Sequence, residues 1–383
     1  MWGIALLVGS AFAQDGDATI ADAHRWTGPR GCASGSLQSR ARPVVRDVVE
    51  AWTLDEGQVR CPPVLWDGVG YVVVGIGAEA TLIAFDVRTG DVRARRGLPE
   101  FARHGALVVW DNLVIAQTRA GVAGYRLIER TLREQWTFAG VGEPAVHDNE
   151  VYCTQGSDRL VRLRPGAAEP VWAAKLVGKA MGAPAVAGKF VFIATQRPPF
   201  QVEVFRRVDG AKAGMLMLSR SAHGRSYSTV SIVRDRMYVE VPAVRSSREY
   251  RLARFKEKGG RITLVGDVIE GRFDVPPAAT SKGAVCRWSG RSREREWRLV
   301  GDTKAWLLAS EREQGGLFRD AVAPTVLGDV VYFGSWAMDL VTREILWRLP
   351  IACATQAVVA VDGLVLVVDS DKTVRAFRGK AAR

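Results

Sequence analysis

Read as apolar and polar positions, the chain repeats one phrase. A small or proline-containing apolar start leads into a two-residue turn, and an alternating apolar strand follows. The phrase is clearest at Pro63-Val64-Leu65-Trp66, Asp67-Gly68, Val69-Gly70-Tyr71-Val72. It returns around Asp111-Asn112, Asp148-Asn149 and Gly188-Lys189, more loosely around Asp235 and Lys282, and again around Gly328 and Asp362. Asp-Gly and Asp-Asn tolerate the positive φ that a tight hairpin turn requires. The flanking Val, Ile, Tyr and Phe suit strands. The first turn residues lie 34–47 residues apart, a period of about 42.

Most units carry a second hairpin. In the first it rises through Thr81–Asp86, turns at Arg88-Thr89-Gly90-Asp91 and resumes at Val92; in the seventh the turn is Val341-Thr342-Arg343. Each period therefore predicts four antiparallel strands. One such sheet cannot bury both faces, whereas eight stacked radially can. No amphipathic stretch of three helical turns competes with this reading. The expected fold is all-β: an eight-bladed β-propeller of four-stranded antiparallel blades. Trp136, Trp172 and Trp347, and less regularly Trp306, end units at the fourth strand, as plates between neighbouring blades. The eighth unit stops after its third strand, near Phe377. Residues 48–54 (Val-Val-Glu-Ala-Trp-Thr-Leu) have the fourth-strand pattern, so an N-terminal strand is expected to close the last blade.

Ahead of that strand, an apolar run reaches Ala13 and ends Ala11-Phe12-Ala13, with polar residues from Gln14. This is the pattern of a secretory signal peptide, although no Lys or Arg precedes the run. The organisation expected is a signal peptide over 1–13, a lead-in over 14–46 and the propeller over 47–379, in a periplasmic or secreted protein. No second apolar segment reaches membrane-spanning length.

Composition changes this picture little. The chain has 383 residues, 48% hydrophobic and 25% charged, which excludes a disordered or polytopic membrane protein. Its net charge of +12 first points to nucleic acid. However, the surplus is spread over all repeats, and Arg outnumbers Lys 43 to 10, as GC-rich coding produces. Nucleic-acid binding is therefore not expected. Five cysteines, Cys32, Cys61, Cys153, Cys286 and Cys353, include no C-x-x-C spacing. In an oxidising compartment Cys61 and Cys353, similarly placed in their repeats, are the preferred pair. The alternative is that all five are small buried apolar residues.

Pro63, Asp67, Gly68, Tyr71, Val72, Leu82, Ala84, Phe85, Asp86, Thr89 and Gly90, together with the closing tryptophans, resemble the pyrroloquinoline-quinone-like (quinoprotein-type) propeller repeat. Residues 26–31 (Trp-Thr-Gly-Pro-Arg-Gly) resemble the lead-in of exported members. The resemblance implies an eight-bladed propeller but no single function, since some members are dehydrogenases and others binding scaffolds. The dehydrogenases carry adjacent cysteines and a calcium-binding set. This sequence has neither, which places it with the scaffold-type members and implies no cofactor.

Nucleophile elbows, zinc-protease motifs and P-loops are absent from the sequence. His24, His104, His147 and His223 are scattered, and no metal site is expected from them. One pattern carries chemistry. Six links between blades place a basic residue just before the inner strand: Arg60, Arg103, Lys179, Arg225, Arg272 and Arg319. Converging on one mouth of the channel, they would favour an anionic ligand. The expectation is a monomeric, exported, non-catalytic binding scaffold whose partner is an envelope protein or an anionic glycan or peptide. The alternative is a quinoprotein-type dehydrogenase or a polysaccharide-active enzyme with its site at that mouth.

Overall fold

A computed structural model describes residues 25–26, 38–39, 44, 47–76, 79–98, 101–102, 105–196, 200–219, 230–233, 236–242, 248–272, 278–280, 283–289, 295–300, 305–310, 323–353, 359–361 and 363–379. The signal-peptide reading, and with it His24, lies outside these residues, as do Cys32, His104 and His223.

Eight sheets form among the described residues, one per repeat, each built on four antiparallel strands. Blade 1 runs from the inner strand Val64–Trp66 through Val69–Val74 and Thr81–Asp86 to the outer strand Val92–Gly97. Blades 2 to 7 repeat this order, with inner strands beginning at Leu107, Ala145, Ala185, Val230, Ala278 and Thr325. Blade 8 has Val359–Val361, Leu364–Val368 and Val374–Gly379 from the C-terminal end of the chain. Its outer strand is Val48–Leu54, antiparallel to Val374–Gly379, so the N-terminal strand closes the last blade as the pattern predicted.

The turns between first and second strands have the conformation their sequence demands. Asp67 and Gly68 sit at φ 44° and 79°, Asp111 and Asn112 at 48° and 59°, Asp148 and Asn149 at 49° and 58°. Positive φ at both central residues matches the twist of the flanking strands. The second hairpin is held differently. Asp86 Oδ1 accepts from the Arg88 and Thr89 amides, and Asp339 Oδ1 does the same for Val341 and Thr342. A short side chain thus satisfies the turn's own donors.

Packing between blades depends on what stands at one position of the outer strand. In blade 8 it is Trp52, whose indole N–H donates to the Val87 carbonyl of blade 1 at 3.0 Å and whose ring lies over Gly90. Trp136 donates to Ala167, and Trp172 to Arg207, in the same way. Trp347 of blade 7 has no such hairpin to reach, because blade 8 is split between the two ends of the chain. It donates instead to the carbonyl of Val44 at 2.8 Å, while the Val44 amide donates to Tyr332 Oη at 3.1 Å. Val44 is buried among Trp347, Tyr332 and Phe377, and supplies the carbonyl that the missing hairpin would have provided.

In blade 4 the equivalent position is Gly214, opposite Val204. A Cβ there would stand 2.5 Å from the Ile262 carbonyl oxygen of blade 5. The absence of a side chain lets the two outer strands approach directly.

The lead-in also has a place that its pattern did not show. Arg25–Trp26 pairs antiparallel with the inner strand of blade 1, and Gln38–Ser39 parallel with the inner strand of blade 7. Both additions lie on the channel side of the ring. No helix among the described residues is long and apolar enough to cross a membrane.

The pairing of Cys61 with Cys353 is not made. Both are buried thiols, in different clusters. Cys61 packs with Leu98 and Phe101 between blades 1 and 2, and Cys353 with Leu349 and Trp347 between blades 7 and 8.

Candidate functional site

The six predicted rim residues do not form a described site. Arg103, Arg225 and Arg319 lie outside the described residues, and Lys179 is exposed. Arg272 is the last residue of the outer strand of blade 5 rather than a link, and its side chain is outside the described set. Arg60 follows the bridge between Val59 and Val74, and its guanidinium lies 5.4 Å from the centre of the Phe101 ring. Lys179 occupies the corresponding link of blade 4, bridged to Gln196, three blades further round.

A cavity of about 490 Å³ opens on the other face of the ring, where the hairpin turns lie. It spans blades 3, 4 and 5. Arg162 comes from the third strand of blade 3. Gly188, Lys189 and Phe190 come from the first turn of blade 4, and Arg206, Arg207 and Val208 from its second; Glu257 and Gly260 come from blade 5. The backbone here follows the repeat. Gly188 takes φ 54° and Gly210 takes φ 70°, with the Trp172 ring so close over Gly210 that a Cβ would meet it at 2.7 Å. The turn is thus fixed from below by an indole and a glycine.

Its side chains form a network across blades. Arg207 Nε donates to Tyr152 Oη at 3.2 Å, Nη1 to the Gly188 carbonyl at 3.0 Å and Nη2 to Asp148 Oδ2 at 2.6 Å. Tyr152 Oη donates to Glu150 Oε2 at 2.9 Å. Arg162 donates through Nη1 to the carbonyls of Arg207 at 2.8 Å and Val208 at 3.1 Å, and through Nη2 to Glu150. Burial pushes the Tyr152 hydroxyl up to about 12, tempered by Arg207, so it remains a neutral donor. Burial works against the Arg207 charge, but the bonds to Tyr152 and Asp148 outweigh it and raise its pKa. Further out, Lys189 pairs with Glu257 at 3.4 Å, and Arg206 pairs with Asp209 within its own turn.

None of the lining cations belongs to the predicted rim. The available signal was a departure from the repeat. Where blade 1 has Asp86-Val87 before its turn, blade 4 has Arg206-Arg207, so the turn-satisfying carboxylate is replaced by two cations.

The architecture is that of an eight-bladed β-propeller. The C-terminal WD40 domain of Sif2 has the same kind of fold: TM-score 0.53, 11% identity, covering 88% of this chain and all 100% of that one. Residues 133–240, which hold most of the cavity lining, match the family model PQQ_2, described as outer membrane protein assembly factor BamB. Over these residues the repeat is therefore of the pyrroloquinoline-quinone-like type. BamB from Moraxella catarrhalis aligns at 15% identity over 88% of this chain and 92% of that chain, with TM-score 0.41. A europium-containing methanol dehydrogenase aligns at 10% identity over 92% and 89%, with TM-score 0.39. A search of curated protein sequences finds no match.

Proposed function

We propose that this protein is an exported, non-catalytic propeller scaffold that docks a protein partner in the cell envelope. In this reading residues 1–13 are a cleaved signal peptide, residues 14–46 a lead-in and residues 47–379 the propeller. The protein acts in the periplasm or after secretion. The observation that carries the reading is the coincidence of two features. The segment matching a family described by outer membrane protein assembly is also the segment whose turns build the cavity. The network there consists of cations already held by carboxylates and carbonyls, an arrangement suited to presenting a shaped surface.

Photo-crosslinking in cells tests this. A crosslinker at Val208, which is 73% exposed on the cavity lip, is expected to trap one discrete envelope partner. The same group at Val341, on a turn of blade 7, or at Ile76, near a turn of blade 1, serves as the control. No product at Val208, or the same products at all three sites, overturns the reading.

A further inference from the structure

We infer that the cavity across blades 3, 4 and 5 recognises an acidic peptide segment that carries an apolar side chain beside its carboxylates; the inference rests on the scaffold reading. Four cationic side chains line the cavity, against the single carboxylate of Glu257. Lys258 and Arg261, both exposed, flank Gly260 on the blade 5 side. The four cations divide into two pairs. Arg162 and Arg207 have side chains 15% and 21% exposed and are pinned by the network described above. Lys189 and Arg206 are 61% and 47% exposed. Both head groups reach solvent while paired, so a partner's carboxylate can approach them without breaking the pinned network.

A second observation sets the class of ligand. Val208, on the same turn as Arg206 and Arg207, is 73% exposed at the cavity lip. A small free anion would satisfy the cations and leave Val208 in water. A peptide with an apolar residue next to its carboxylate covers both.

The probe is a fluorescein-labelled peptide of alternating Glu and Leu, followed by anisotropy against the full chain. The Lys189→Gln/Arg206→Gln double variant is expected to weaken binding about tenfold, and raising salt from about 50 to about 300 mM to weaken it further. The Arg93→Gln/Arg95→Gln variant removes the same charge from the outer strand of blade 1 and is expected to bind as the wild type does. A peptide of alternating Gln and Leu is expected to bind about tenfold more weakly than the Glu peptide. The inference is overturned by equal binding of the two peptides, by equal loss in the two double variants, by displacement of the peptide with millimolar phosphate, or by no binding. Should the peptide fail while the Val208 crosslink persists, only the ligand chemistry fails. Loss of the crosslink itself would overturn the scaffold reading.

Discussion

Trp52 is the point at which the closing strand of blade 8 is locked to blade 1, and its removal has a calculable cost. The side chain is 9% exposed, meets Phe85 edge-on at 5.6 Å and covers Gly90. A buried tryptophan hides about 200 Å², which at about 25 cal/mol per Å² gives an upper figure near 5 kcal/mol. Measured truncations of buried aromatics run at about 3–5 kcal/mol. Trp52→Ala also strands the Val87 carbonyl. We expect a loss of about 4 kcal/mol, and a fall in Tm of about 5 °C for a chain of this length. Trp52→Phe keeps most of the area and loses only the indole N–H, so about 1–2 kcal/mol is expected. Thermal unfolding followed by near-UV circular dichroism measures both. Hydrogen exchange adds a local reading, because the amides of Val374–Gly379 pair with this strand and should exchange faster in Trp52→Ala. The reasoning is refuted if Trp52→Ala lies within about 1 kcal/mol of the wild type. It is also refuted if Trp52→Phe is as damaging as Trp52→Ala, since area would then not be the cause.

Other perturbations read different parts of the ring. Gly214→Val places a branched side chain against the Ile262 carbonyl and should cost about 2–3 kcal/mol in urea unfolding, whereas Gly97→Ala, with open space around it, should be near neutral. Glu203 is fully buried, held by Lys212 Nζ at 2.7 Å and the Val177 amide at 2.9 Å, so Lys212→Met should destabilise by about 2–3 kcal/mol and the double variant Glu203→Gln/Lys212→Met by less. Burial alone would raise the Asp369 pKa, but its bonds from the Thr373 amide and hydroxyl and from Arg375 outweigh burial and hold it below the usual carboxylate range. A depressed folded pKa gives stability that is full above the unfolded value, about 3.9, and lost as pH falls through the folded one. The stability gap between wild type and Asp369→Asn should therefore shrink below about pH 4 in acid titrations, and a constant gap would contradict the assignment. Burial pushes the Cys61 thiol up to about 12 and raises Cys153 and Cys286 as well. On a Cys32→Ser background the native protein should show no fast thiol towards a disulfide reagent at about pH 8, and all thiols once denatured.

What could be read from the sequence was whatever repeats. The Asp-Gly and Asp-Asn turns, the inner strands and the closing role of residues 48–54 each follow from local chemistry that recurs every blade, so the period exposes them. What could not be read was whatever joins unlike parts of the ring. Val44 matters because Trp347 lacks a hairpin to bond, a consequence of the split in blade 8 that no local pattern announces. Arg25–Trp26 and Gln38–Ser39 pair with strands far along the chain, and two residues carry no alternation to read.

The basic rim had the opposite weakness. Basic residues recur in the links, but a link residue can spend its charge on its neighbour, as Arg60 does over Phe101. The cations that do converge come from turns on the other face, where Arg206-Arg207 breaks the repeat. In a fold built from equivalent units, a residue that obeys the repeat is accounted for by packing. One that departs from it at an exposed turn, and is then held in place by a Trp, a Gly and a Tyr from the neighbouring scaffold, is the better guide to where the ring meets something other than itself.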